Sequence, residues 1–226
     1  MTARRGEAAL GKAQAPSPWG DGRRSRIGLL GGSFNPAHQG HLHISKQALA
    51  RLRLDAVWWL VTPQNPLKAA RGVAPLAARL ASARAVCARE RHILPLALET
   101  AFGTTRTADT LDILHRRFPR ARFVWLMGAD NLAQLPSWHR WRHLAATTPI
   151  AILDRAPYSK EALAGLAARR LARFRHPARI AGVLADRAPP AWVFLPIRKH
   201  AASATAIRAR GWTVSGPVPT DGEGNL

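Results

Sequence analysis

Along the chain, short apolar runs alternate with stretches in which apolar residues recur at helical spacing, the pattern of a parallel sheet joined by crossover helices. Arg26 to Leu30 reads as the first strand, followed by a turn at Gly31-Gly32 and a helix from about Gly40 to Arg53. In that helix Ile44, Ala48, Leu49 and Leu52 share one face. A second strand is predicted at Ala56 to Val61, with Pro63 and Pro66 breaking the chain after it, and a third at Ile93 to Leu96 after an alanine-rich helix. The next helix carries signals at both ends: Thr107 suits the N-cap, Asp109 the first turn, Leu111, Leu114 and Phe118 one face, and Pro119 the stop. Arg122 to Met127, Ile150 to Leu153 and Trp192 to Leu195 supply the remaining strands. The expected fold class is α/β, a doubly wound parallel sheet with flanking helices in a single domain. Residues 1–25 and 212–226 lack apolar periodicity and are expected to be flexible tails around a domain at 26–211. Ligands of such sheets sit at the carboxyl ends of the strands, which directs attention to the loops after Leu30, Val61, Met127 and Leu153.

Composition narrows the class. The chain has 226 residues, 47% of them hydrophobic, with no apolar run near the roughly 20 residues a spanning helix requires, so a soluble protein without a membrane partner is expected. The basic N-terminal segment is not followed by an apolar one, which argues against a secretory signal; its arginine and alanine content loosely resembles a transit peptide. Cys87 is the single cysteine, which excludes an intrachain disulfide or thiolate cluster and fits a reducing cytoplasm. The net charge of +21 suggests phosphate-rich partners, yet the arginines are spread from Arg4 to Arg210 among abundant alanine, as a genome-wide composition bias would also produce. The charge therefore supports steering of an anionic substrate more than a nucleic-acid interface.

The candidate chemistry lies in Gly31-Gly32-Ser33-Phe34-Asn35-Pro36-Ala37-His38-Gln39-Gly40-His41. Two glycines after a strand let the backbone approach a ligand, and the helix that follows offers N–H groups to an anion. His38 and His41, three residues apart at the start of that helix, can face one point and donate to a phosphoryl oxygen. A zinc pair or an incidental surface pair uses the same spacing, but no cysteine pair or acidic partner accompanies these histidines. His43 reads as an ordinary helix residue.

The string resembles the GGxFDPxHxGH signature of the nucleotidylyltransferase superfamily, with Asn35 where aspartate is most common. A second resemblance, to the late ISSTxIR signature, falls on Ala202-Ser203-Ala204-Thr205-Ala206-Ile207-Arg208, where Ala204 replaces a serine. The superfamily implies a Rossmann-like sheet and transfer of a nucleoside monophosphate from a triphosphate. It also implies ATP contacts at Gly31, Gly32, Ser33, Phe34, Gly40, Ser203, Thr205 and Arg208. Ser203 could otherwise be a plain helix cap and Arg208 a solvated charge.

Within the superfamily the middle of the chain is similar to bacterial nicotinate-nucleotide adenylyltransferases. Trp59 to Lys68 resembles the segment ending in PPHK, with Leu67 in place of histidine. This implies Lys68 at the ATP phosphates and Asn65 at the acceptor, although a loop lysine is by default solvated. Arg106 to Leu111 resembles the TxxTL segment, in which a threonine meets the pyridine nucleotide; Thr107 could equally be only a cap. Leu126 to Leu132 followed by Leu135 to Trp141 is similar to the family's GxD segment and tryptophan. The resemblance implies adenosine contacts at Gly128 and Asp130 and a pyridine stack on Trp138, one of eight tryptophans for which packing is the ordinary use. Arg155, after the fifth strand, is implied at the acceptor phosphate.

The family reaction joins ATP and nicotinate mononucleotide to give deamido-NAD and pyrophosphate. The attacking phosphate is already an anion, so the chemistry calls for positioning and charge neutralisation rather than a general base. His38 and His41 are then the catalytic pair, and Mg²⁺ is expected to be held mainly through the ATP phosphates, with no protein metal site. The rivals are adenylylation of nicotinamide mononucleotide or phosphopantetheine, cytidylyl transfer to an alcohol phosphate and, in another class, a nucleic-acid-binding protein.

Overall fold

The computed structural model describes residues 15–63, 73–154 and 159–198. Seven strands form one sheet in the order β3-β2-β1-β4-β5-β7-β6, with every pair parallel. They are β1 (Arg26–Gly32), β2 (Ala56–Val61), β3 (Ile93–Leu96), β4 (Arg122–Gly128), β5 (Ile150–Asp154), β6 (Arg175–His176) and β7 (Trp192–Pro196). The chain first moves outward from β1 through β2 to β3, then returns to place β4 on the other side of β1. The winding therefore reverses between β1 and β4, where doubly wound sheets open a ligand crevice at their carboxyl ends.

The helices cover both faces, which is why the central strands read as continuous apolar runs: all six residues of β2, Ala-Val-Trp-Trp-Leu-Val, are buried. On one face Trp58, Phe118, Phe123 and Trp125 form a core with the helices α3 (Leu98–Phe102), α4 (Thr107–Arg117), α5 (Ala129–Gln134), α6 (Trp141–Thr147), α7 (Ser159–Ala164) and α8 (Leu166–Arg170). On the other, Val57, Trp59 and Val61 pack with α1 (Gln39–Leu52), α2 (Leu76–Val86) and a 3₁₀ segment at Ala178–Asp186. Alternate residues of β2 thus serve opposite cores.

Several expectations need correction. Gly31 and Gly32 are not the turn; they are the last two residues of β1, and neither has a positive φ. A side chain at Gly31 would come within 2.6 Å of the Trp125 ring, so that glycine exists for close packing. The left-handed residue is Phe34, at φ +47°. Thr107 is not the N-cap of α4 but its first helical residue; Arg106 holds the cap position. The two-residue edge strand β6 and the short helices after β4 were not anticipated; pieces this short carry no periodicity. Part of the stretch expected to be a tail packs on the domain, with the Arg23 guanidinium 5.5 Å from the centre of the Trp58 ring and 5.8 Å from that of Phe118. Among the described residues no helix is long and apolar enough to cross a membrane.

Candidate active site

The crevice begins where β1 ends. Gly32 still pairs with the neighbouring strand's exit, its carbonyl accepting the Thr62 N–H at 3.0 Å. Two residues later Phe34 enters the left-handed region, which costs a side-chain-bearing residue about 1–2 kcal/mol. Packing offsets this: the Phe34 ring is 1% exposed, stacks on Trp59 at 4.9 Å and lies 4.7 Å from the His41 ring. Asn35 is also buried, and its Oδ1 accepts the Ala74 N–H at 3.1 Å. That bond fastens the turn to a segment 39 residues away, just ahead of α2.

His38 and His41 start α1 as a capping box built from imidazoles. His38 is the N-cap, and its Nδ1 accepts the Gly40 N–H at 3.0 Å; the Nδ1 of His41 accepts the His38 N–H at 3.3 Å. Two consequences follow. A neutral ring whose Nδ1 accepts carries its proton on Nε2, so the network assigns both histidines the Nε2–H tautomer, each a donor on the side away from the helix backbone. The N–H of Gly40, expected to be offered to a phosphate, is instead used by His38. The rings lie 4.0 Å apart, and His38 is 4% exposed. Below them, Trp59 Nε1 donates to Ser45 Oγ at 2.7 Å and Ser45 Oγ donates to the His41 carbonyl at 2.9 Å, tying the first turn of α1 to β2.

Gly128 ends β4 and caps α5, whose first turn carries the half-buried Asp130, so both expected adenosine contacts lie at the carboxyl end of the strand beside β1. Thr107 and Trp138 are brought onto adjoining segments. Arg106 donates to His139 Nδ1 at 2.9 Å, and Arg140 pairs with Asp109 at 3.0 Å and Asp112 at 3.1 Å, fastening the start of α4 to the chain beyond Trp138. Trp138 is half-buried and meets Trp125 edge-on at 6.2 Å, the same ring that covers Gly31. Its indole is therefore a packing group whatever else it contacts. One turn beyond Thr107, Thr110 reaches Glu99, a carboxyl with 3% exposure whose Oε2 has no partner among the described residues. Burial pushes the Glu99 pKa up to about 7 against the opposing pull of the Thr110 hydroxyl.

Sequence reasoning missed Arg79. This residue of α2 is 1% exposed, and its Nε donates to the Ala74 carbonyl at 2.8 Å. Nη1 donates to the carbonyls of Ser33 and Thr62, each at 2.7 Å, and Nη2 to that of Pro63 at 2.8 Å. His43 also has a specific job, its Nε2 lying 2.9 Å from the Arg198 carbonyl and so holding α1 to the exit of β7. Six expected site residues lie outside the described residues: Asn65, Lys68, Arg155, Ser203, Thr205 and Arg208.

A reversal of winding beside a histidine-capped helix is the frame of a nucleotidyl-transferring α/β protein. Across residues 29–210 the chain matches the cytidylyltransferase-like family and belongs to it. Its curated relatives narrow the membership to the nicotinate-nucleotide adenylyltransferases. A probable nicotinate-nucleotide adenylyltransferase of Bradyrhizobium sp. (strain BTAi1) is 58% identical over 183 residues, 81% of this chain and 95% of that protein. One from Gluconacetobacter diazotrophicus is 53% identical over 193 residues, 84% of this chain and 88% of that protein. Among solved structures, Plasmodium falciparum nicotinic acid mononucleotide adenylyltransferase complexed with APC shares the fold, with a TM-score of 0.60 at 16% identity, covering 82% of this chain and 83% of that one.

Proposed function

We propose that the chain transfers the adenylyl group of ATP to nicotinate mononucleotide, giving deamido-NAD and pyrophosphate, a step of NAD biosynthesis. The observation that carries the reading is the imidazole pair: two rings 4.0 Å apart, each accepting a backbone N–H at Nδ1, which in a neutral ring leaves the proton on Nε2, at the carboxyl end of β1 beside the reversal point. A phosphate oxygen of the acceptor attacks the α-phosphorus of ATP, a new P–O bond forms, and the bond to the leaving pyrophosphate breaks. The attacking oxygen is anionic at neutral pH, so no side chain needs to remove a proton. His38 and His41 donate to phosphoryl oxygens whose charge grows during the step, and donors already oriented require no reorganisation at that moment. Mg²⁺ bound with the triphosphate would neutralise that charge further. Phosphate oxygens would be its main ligands in this proposal.

The test is pyrophosphate release from ATP and Mg²⁺ with nicotinate mononucleotide, nicotinamide mononucleotide and phosphopantetheine in parallel. A strong preference for the first is expected. Turnover with only another acceptor would overturn the acceptor assignment, and no turnover together with salt-sensitive binding to DNA would favour the nucleic-acid reading.

A further inference from the structure

Arg79 presents an unusual balance. It is a fully buried guanidinium, and no carboxylate pairs with it among the described residues. A buried charge persists only where polar groups replace the lost water, and here four carbonyl bonds to Ser33, Thr62, Pro63 and Ala74 do so. None of the four is a neighbour on its own helix turn. They come from the turn after β1, the exit of β2 and the approach to α2, so the planar fork of one arginine fixes three chain segments at once.

One of those bonds has a directional consequence. In a trans peptide the carbonyl oxygen and the following N–H point opposite ways. Arg79 draws the Ser33 carbonyl to the guanidinium nitrogen that also holds the Thr62 carbonyl at the β2 exit, so the Phe34 N–H points away from Arg79. That N–H has no acceptor among the described residues, although Phe34 is 1% exposed. A buried backbone donor left unsatisfied is uncommon and calls for a partner from outside the chain. The ring contacts of Phe34 with Trp59 and His41 fix the other end of the same peptide unit, so the donor cannot swing back to solvent.

We propose that Arg79 is a positioning residue for nucleotide binding: its guanidinium locks the Ser33–Phe34 peptide so that the Phe34 N–H meets a phosphoryl oxygen of the triphosphate. The assignment rests on the reading of this crevice as an ATP site, but not on the identity of the acceptor. Arg79 touches no substrate itself. Its bonds to Thr62 and Pro63 set the β2 exit relative to the same peptide, so the ATP turn and the start of the following loop are placed together.

The experiment has two arms. Selective ¹⁵N labelling of phenylalanine reduces the spectrum of the intact wild-type protein to six amide signals, of which that of Phe34 is assigned by its loss in Phe34→Leu, and the wild type is titrated with the non-hydrolysable analogue α,β-methylene-ATP. The Phe34 amide proton is expected to move downfield as it gains a phosphate acceptor; a resonance that stays in place at saturation overturns the proposal. In the second arm Arg79→Lys keeps the charge but cannot reach all four carbonyls. Its KM for ATP, normalised to folded protein, is expected to rise about tenfold or more with a smaller downfield shift at Phe34. A variant that melts earlier but keeps the wild-type KM and the wild-type shift shows a structural role only and overturns the proposal. If Arg79→Lys does not fold, Arg79→Gln takes its place with the same two readouts and the same overturning result. A wild-type protein that shifts Phe34 with the analogue yet turns over no nicotinate mononucleotide leaves this inference standing and removes the acceptor reading.

Discussion

The two edges of the sheet use arginine in opposite ways. At the amino edge Arg24, Arg26, Arg120 and Arg122 surround a cavity of about 660 Å³ together with Asp55 and Asp186. The cations there are wet: the side chains of Arg26 and Arg122 are 38% and 58% exposed where they meet Asp186, at 2.7 and 3.3 Å. At the carboxyl edge one arginine, Arg79, is 1% exposed and meets four carbonyls and, among the described residues, no acid. Water screens the first set, so its members exchange partners at little cost. Nothing screens the second, so its geometry is fixed and can be passed to the turn beside it. A net charge of +21 therefore indicates little about where function lies. What distinguishes the site is polar groups held out of water by specific bonds.

The largest effect expected from this contrast concerns His41. His41→Ala removes an oriented donor and is expected to lower kcat by about 10²–10³-fold, the range found when one preorganised donor to a developing charge is deleted. The accompanying loss of the His38 N–H cap should cost only about 1 kcal/mol of stability. Pyrophosphate release at saturating substrates, read beside a thermal melt, separates the two. A folded variant turning over at the wild-type rate would remove His41 from the chemistry. Arg122→Ala at the opposite edge serves as the control, with a rate within about twofold of wild type.

How far the sequence discloses these edges depends on what leaves a trace in it. The unbroken Ala-Val-Trp-Trp-Leu-Val of β2 announces a strand buried on both faces, and the spacing of Leu111, Leu114 and Phe118 announces the inner face of α4. The eleven-residue string after β1 marks the site because its residue types carry the chemistry. Arg79 leaves no such mark. In Leu-Ala-Ala-Arg-Leu-Ala-Ser-Ala-Arg-Ala-Val it looks like the exposed arginines around it, and its partners are backbone carbonyls, which every residue possesses. The turn is hidden for a related reason: paired glycines suggest a tight bend, but Gly31 is set by the ring of Trp125, 94 positions away in the chain. Contacts between distant backbones and rings become visible only when the strands are in register.

A smaller effect tests the dry edge through pH. Glu99 has an ordinary pKa of 4.5 and a folded-state value of about 7, raised by burial with the Thr110 hydroxyl opposing. Between those limits the folded protein keeps a proton that the unfolded chain has lost, so stability falls as pH rises from about 4.5 to about 7. Below the window the contribution is fully present; above it the loss is constant, at about 3 kcal/mol. Glu99→Gln has no such titration. Melting temperatures of the two proteins are expected to diverge across that window in favour of the variant and to run parallel above it. A difference independent of pH would mean that Glu99 is hydrated in solution and that this part of the carboxyl edge is wetter than its geometry indicates.

The smallest effect belongs to the amino edge and is the one most able to break the contrast. Asp186 accepts from both Arg26 and Arg122, and a reading that counts ion pairs would make it a clamp between β1, β4 and the 3₁₀ segment. Exposure argues otherwise, because each long side chain loses rotamer freedom in the pair and the gain is made against water. Asp55, which accepts the Arg26 N–H at 2.7 Å, remains to hold the start of the strand after Asp186 is lost. Asp186→Ala is therefore expected to change unfolding free energy by no more than about 1 kcal/mol, to lose that difference at high salt, and to leave turnover unchanged. Denaturant melts at low and high ionic strength measure it. A loss of several kcal/mol that survives salt would show the amino-edge pairs to be as dry as Arg79, and the placement of function at one edge would then rest on the histidines alone.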